Sequence, residues 1–441
     1  MKRLSKPWLF ALLFVLVAGA LIWIGTGQKP SEQGAGDTVN PIEQQQPEEK
    51  EPDTEGAPVE QEGNKIAIPQ AIVTTFKGDP RTSRAFTWHT DTTGEKAVLQ
   101  LVKGTDASAF EDKREILEFQ GESSELVLHN GKIKGVHKAE AAGLEAGASY
   151  LYRVGNGSAE GWSELAAFTT EQDGLDAFTF IDVADSQGIT EQDFELWRNT
   201  LEQAFKRFPE SAFLIHNGDL TEYPEDDAAW NHLLNKARPW TASVPFMPVT
   251  GNHDQVDKKA DAFVSHFNLP DNGASSTIPG TSYTFNYGPV HFVMLNTEAK
   301  IKEQVDWLEE DLAANRQPWT IVSIHRPAYG GNQDKKVVKH WVPLFDKYGV
   351  DLVLQGHNHE YSRSYPLKDE KIVETGGTVY ATVNASGQKF NKKKDDQYYH
   401  KIHFQNKKQM YAGIRIAGDK LTYQAYTVDG ELADEFELTH K

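Results

Sequence analysis

From Ala177 onward, short apolar runs alternate with segments whose apolar residues recur at helical spacing, the pattern of stacked strand and helix layers. Runs that predict buried strands fall at 178–184, 212–215, 246–249, 291–295, 319–324 and 350–354. Between the first two, Thr190 caps a helix on which Phe194, Trp197, Leu201 and Phe205 mark a core-facing stripe. Further helices are predicted near 228–236, 302–314 and 335–348. After Gly377 the chain returns to strands at 379–383, 410–416 and 421–428. Two blocks of strands fit an α/β domain with four layers, αββα, better than a single parallel sheet.

Upstream the texture is different. Between residues 65 and 172 short alternating segments, such as Ala85-Phe86-Thr87-Trp88, are separated by turn pairs at Lys103-Gly104, Asn130-Gly131 and Asn156-Gly157. This predicts a β-sandwich of the fibronectin type III kind, with Trp88 and Tyr152 in its core. Residues 28–64 are rich in Gln, Glu, Pro and Gly and read as a disordered acidic linker. Residues 1–27 read as a targeting segment. Lys2, Arg3 and Lys6 precede an apolar run from Trp8 to Ile24, which would rise about 26 Å as a helix. An uncleaved membrane anchor is expected, with the remainder outside the cytoplasm. A cleaved signal peptide ending at Ala18-Gly19-Ala20 is the rival, and would make the protein secreted.

Composition narrows the chemistry. With 45 basic and 64 acidic residues the net charge is −19, which argues against nucleic-acid polymers as partners. The absence of cysteine excludes disulfides, thiolate metal sites and a cysteine nucleophile. Polar clusters instead sit at the ends of the predicted strands. They are Asp185-Ser186-Gln187, Gly218-Asp219, Gly251-Asn252-His253-Asp254, His325 and Gly356-His357-Asn358-His359. His357 and His359 stand two positions apart, so an extended chain would send both to one face.

Carboxylates, an amide and imidazoles without thiolate suit two adjacent ions of Fe, Mn or Zn. Asp219 is the candidate bridge. Asp185 and His359 would complete one ion; Asn252, His325 and His357 would complete the other. Such a pair turns a shared water into a hydroxide able to attack phosphorus. His253 has no ligand duty and is free to protonate the leaving oxygen, with Asp254 as a possible orienting partner.

The ordered set resembles the calcineurin-like metallophosphoesterases, and more narrowly a purple acid phosphatase. Gly356–Pro366, reading GHNHEYSRSYP, is close to that family's Gly-His-x-His-x-Tyr-Glu-Arg pattern. His325-Arg326-Pro327-Ala328-Tyr329 matches its His-x-Pro-x-Tyr. Upstream, Trp88-x-Thr90, Tyr150-x-Tyr152-Arg153-Val154-Gly155 and Phe168-x-Thr170 follow its N-terminal β-sandwich. The resemblance implies a catalytic domain over 173–441 and carries Tyr361 as a candidate substrate contact. Two departures stand out. Glu222 occupies the place of the tyrosine whose phenolate colours the purple enzymes, with Tyr223 one residue later and Glu222 expected to be solvated. Gln187 stands where many relatives have a histidine, and could either ligate the first metal or hydrogen-bond its loop.

The expected function is hydrolysis of extracellular phosphomonoesters. A phosphodiesterase acting on nucleotides or lipid head groups uses the same ligands. A non-catalytic surface binding protein would be expected to have lost some of them, and all six, with His253, are present. The basic segment Lys389–Lys394 is a mobile surface loop on one reading and a contact for anionic substrate on the other. Oligomeric state is left open.

Overall fold

The computed structural model describes residues 67–111, 115–256 and 258–440. The predicted targeting segment and acidic linker lie outside these residues. Among the described residues no helix is long and apolar enough to cross a membrane.

The alternating segments pair into two four-stranded antiparallel sheets. One runs in the order Gln70–Thr75, Ser83–Thr90, Ile133–Ala142, Glu122–Val127; the other Leu117–Gln120, Val98–Lys103, Ser149–Gly155, Ala166–Thr169. Phe86, Trp88, Leu99, Leu101, Tyr152 and Phe168 fill the space between them. Trp88 and Tyr152 are buried, as expected. Tyr152 does more than pack, because its hydroxyl donates to Ala242 O at 2.6 Å in the second domain.

In that domain a six-stranded sheet orders Phe246–Pro248, Ser211–His216, Ala177–Val183, Met410–Ala417, Lys420–Thr427 and Leu432–Thr439. A seven-stranded sheet orders Tyr283–Tyr287, Val290–Met294, Trp319–Ile324, Leu352–Gln355, Val379–Thr382, Tyr361–Ser364 and His400–Phe404. The two sheets face each other through Phe180, Phe213 and Phe292, whose rings lie 5.1–5.3 Å apart. The central strands Trp319–Ile324 and Leu352–Gln355 are buried on both faces. Trp319, Ile321, Leu352 and Leu354 join the inter-sheet core, while Val322, Ile324 and Val353 pack outward against Leu308, Trp341 and Phe345. Helices Glu191–Arg207 and Asp227–Thr241 pack Phe194, Trp197, Trp230 and Leu233 into the hydrophobic cluster of the six-stranded sheet, forming a helix layer of the αββα stack. The single helix predicted over 335–348 is broken into Lys335–His340 and Val342–Tyr348. At the break Trp341 is fully buried and donates Nε1–H to Ile301 O at 3.0 Å.

The sandwich meets this domain through polar atoms that burial makes costly. Lys138 Nζ donates to Val264 O and Phe267 O at 2.6 and 2.8 Å. The His89 ring lies 4.2 Å from His266, which stacks on Trp230 at 4.4 Å. His89 Nε2–H donates to Ser265 O and His266 Nδ1–H to Ala262 O, while the other nitrogen of each is buried without a hydrogen bond. Burial pushes His89 down to about 4 and His266 well below its ordinary value. Lys134 reinforces both shifts, His137 adds to the one at His89 and His89 to the one at His266, while the Ser265 carbonyl and Asp227 oppose the shift at His89 only partly. Both rings are therefore neutral when folded, whereas the unfolded chain takes up protons near pH 6.5. Stability from this pair is complete above that pH and is lost as pH falls toward 4, by about 3 kcal/mol for His89 alone. Urea unfolding at pH 7.5 and 4.5 measures it. The His89→Gln, His266→Gln double variant should lose less stability between those two pH values than the parent. An unchanged pH dependence would remove the pair from the explanation.

Candidate metal centre

The clusters converge because the strands ending at Val183, His216, Pro248, Ile324 and Gln355 all release their loops at one edge of the two sheets. Two of those loops touch backbone to backbone. A Cβ on Gly251 would sit 2.2 Å from Asp219 Oδ1, and one on Gly218 would sit 2.7 Å from Gly251 N. Gly218 also has φ +87°. Four proposed ligands have left-handed backbones: Asp185 (φ 54°), Asp219 (58°), His357 (71°) and His359 (51°). His357 and His359 thus do not share a face by strand parity. The strand ends at Gln355, and a left-handed turn brings both imidazoles inward.

Two groups of ligand atoms result, each within 4.8 Å: Asp219, His325 and His357, and Asp185, Asp219 and His359. Asp219 belongs to both. In the first group Asp219 Oδ2 is 3.2 Å from His325 Nε2, which is also 3.2 Å from Asn252 Oδ1 and from His357 Nδ1. In the second, His359 Nε2 is 3.4 Å from Asp185 Oδ1. Gln187 joins this group, with Nε2 3.3 Å from Asp219 Oδ2 and 3.5 Å from His359 Nε2. Its Oε1 is buried without a partner.

The donors are held by groups that the sequence patterns did not single out. Asn217 O accepts Nδ1–H of His325 at 2.8 Å, and the Asn217 side chain is fixed by Asp182 and Ser323. Lys389 O accepts Nδ1–H of His359 at 3.0 Å. Both histidines are thereby fixed with Nε2 facing the carboxylates, as metal-ligating histidines are. Arg326, held by Glu298, stands 3.4 Å from His357 Nε2. The one signal for Asn217 was its place just before Gly218-Asp219.

Electrostatics ask for positive charge at this point. Burial would raise the Asp219 carboxyl, but His325 and then His253 outweigh it and hold it below the ordinary carboxylate range. Burial would lower His325, yet the Asp219 carboxylate pushes it up to about 10. Burial and the neighbouring His325 push His357 down to about 3, so it remains a neutral donor. Two buried carboxylates, imidazole nitrogens, amide oxygens and the unpartnered Gln187 Oε1 fit a pair of hard or borderline cations.

Above the donors lies an open cleft of about 530 Å³, lined by Gln187, Asp219, Asn252, His253, His357, His359, Lys389, Phe390 and Asn391. His253 donates N–H to Asp219 Oδ1 and Nδ1–H to Glu222 O, both at 2.8 Å. Asp254 does not orient His253. Its carboxylate is buried and accepts the backbone amides of Asp219, Leu220 and Gly251 at 2.7, 2.9 and 2.8 Å, so it shapes the loops. Tyr361 is not at the cleft either. Its side chain is buried between strands and its hydroxyl donates to Asp434 Oδ2 at 2.8 Å. Glu222 is not solvated: its carboxylate is largely buried and pairs with Lys389. Segment 389–394 is pinned to the site, since Asn391 Nδ2 donates to Asn358 O and Lys394 N to Glu360 Oε2, both at 2.9 Å.

His216 and His291 are structural, bonded to Ser186 and to Asn286 and Asp311. Tyr223 is 51% exposed and is absent from the cleft lining. Iron-loaded protein should therefore lack an intense phenolate–ferric band in its visible spectrum. A strong band that vanishes in Tyr223→Phe would show the opposite.

Residues 183–361 match the calcineurin-like phosphoesterase family, and residues 69–170 match the purple acid phosphatase N-terminal domain. Acid phosphatase type 7 of Mus musculus is 28% identical over 274 residues, covering 54% of this chain and 58% of that protein. Purple acid phosphatase 15 of Arabidopsis thaliana is 33% identical over 175 residues, 36% of this chain and 32% of its own. The purple acid phosphatase isolated from yellow lupin (Lupinus luteus) seeds shares the fold, with a TM-score of 0.72 at 16% identity over 85% of this chain and 74% of that one. The chain spans 58% of the Mus musculus relative and 63% of its Danio rerio counterpart.

Proposed function

We propose that this chain, a calcineurin-like phosphoesterase with a purple acid phosphatase N-terminal domain, hydrolyses phosphomonoesters at a centre of two cations (Fe, Mn or Zn). The observation that carries the reading is the single carboxylate, Asp219, shared by two ligand groups. When bound, such a pair supplies Lewis-acid neutralisation of phosphoryl oxygens and an acidified water. Asp185, His359 and Gln187 would hold one cation; Asn252, His325 and His357 would hold the other, with Asp219 between them. The chain's own residues do the rest. Asn217 O and Lys389 O keep the two imidazoles aimed. His253, fixed through Nδ1, is left with Nε2 to hand a proton to the leaving oxygen across the cleft.

The substrates we have in mind are extracytoplasmic, because the basic and apolar start of the chain favours a membrane anchor or a secreted form. Cell fractionation with N-terminal sequencing separates those two, a start at Leu21 indicating cleavage. The function itself is tested by stripping metal, restoring Mn, Zn or Fe, and assaying a panel of phosphomonoesters and phosphodiesters. Monoesters should be turned over only after metal is restored. Faster turnover of diesters would move the reading to a phosphodiesterase, and no turnover of either class would end it.

A further inference from the structure

The metal donors account for the floor of the cleft and leave its rim unexplained. Among the described residues lining the cleft, Lys389 is the one lysine or arginine. It is held from two sides: its carbonyl accepts His359 Nδ1–H, and its ammonium pairs with the Glu222 carboxylate. Glu222 also accepts His253 Nδ1–H on its carbonyl, and its carboxylate lies 3.9 Å from the same nitrogen. His359, Lys389, Glu222 and His253 therefore form a chain of contacts along one side of the cleft, from a proposed ligand to the proposed proton donor.

The two members of the ion pair differ in freedom. The Glu222 side chain is 14% exposed and the Lys389 side chain 38% exposed. The backbone around Lys389 is fixed by Asn391 and Lys394, so only its four-carbon stem can move. Lys389 is the solvent-facing member of the pair, so its ammonium can take a second anion from the cleft while the buried Glu222 carboxylate stays beside it.

We infer that Lys389 determines specificity: it binds an anionic group carried on the leaving group of the phosphoester, and Glu222 beside it offsets part of its charge and so sets how strongly it does so. The inference rests on the phosphoesterase reading above. The favoured substrates are phosphomonoesters whose leaving group bears a carboxylate or a second phosphate. Esters with an uncharged leaving group offer Lys389 no such anion. Without Lys389, the Glu222 carboxylate is unopposed at the cleft mouth and repels anionic leaving groups.

The test compares phenyl phosphate with 3-carboxyphenyl phosphate, which differ by one carboxylate. In metal-loaded Lys389→Gln, KM for the carboxylated ester should rise about tenfold relative to KM for phenyl phosphate. Glu222→Gln should move that ratio the other way. The double variant, with no charge at the rim, should bring it between the two single variants. Equal rises for both esters in Lys389→Gln, or kcat falling together with metal content by elemental analysis, would overturn the inference and leave Lys389 as a support for His359. Turnover of neither ester by the metal-loaded parent would instead overturn the phosphoesterase reading, and this inference with it.

Discussion

Asp219→Asn is expected to empty the centre of metal and to lower turnover by at least about 10³-fold. The side chain keeps its volume, and asparagine tolerates the left-handed φ of 58° found at this position. Asparagine can still accept the amide of His253, which now reaches Asp219 Oδ1 at 2.8 Å. The loop should therefore stay in place, and the change is one of charge. Asp219 is the member common to both ligand groups, so a neutral amide weakens both sites together. His325 also loses the neighbour that pushes it up to about 10. Elemental analysis and thermal unfolding are the measurements. Retention of two metals per folded chain would end the bridging role.

His253→Ala should leave metal content intact and slow alkyl phosphates by about 10²–10⁴-fold, the range of a lost general acid. The ring lines the cleft but belongs to neither ligand group. Its Nδ1–H is committed to Glu222 O, which leaves Nε2 for the substrate. A proton matters most when the leaving oxygen is basic. Nitrophenyl phosphate, whose leaving group is stable as an anion, should slow far less. Equal losses on both esters with full metal would assign His253 to phosphate binding instead.

Much of this centre was legible before any coordinates. Strands buried on both faces leave unbroken apolar runs, and every proposed ligand follows such a run closely, so Asp185, Asp219, Asn252, His325, His357 and His359 could be picked out in order. The misreadings share a cause. Tyr361 comes from the resemblance alone, and past the left-handed turn at His359 the chain carries its side chain into the core. Its partner Asp434 comes from the last strand of the other sheet. Asp254 stands beside His253 in sequence, yet its carboxylate serves amides from another loop. Glu222 reads as solvated in the sequence because Lys389, its counter-ion, is far along the chain. Local pattern reports which face a residue occupies; it does not report which distant loop arrives there. The broken helix at Trp341 is a gentler case, since helical spacing on either side hides a one-residue interruption.

The left-handed backbones at Asp185, Asp219, His357 and His359 have a consequence for engineering. Conformations of this kind cost of order 1–3 kcal/mol each and persist where the surroundings enforce them. A search for thermostable variants scored only on survival of the metal-free fold would be drawn to glycine or asparagine at these four positions. Glycine there would remove a donor from the centre, and asparagine would replace a carboxylate or an imidazole by a neutral amide. These four strained residues are ones that selection for robustness must be told to leave alone.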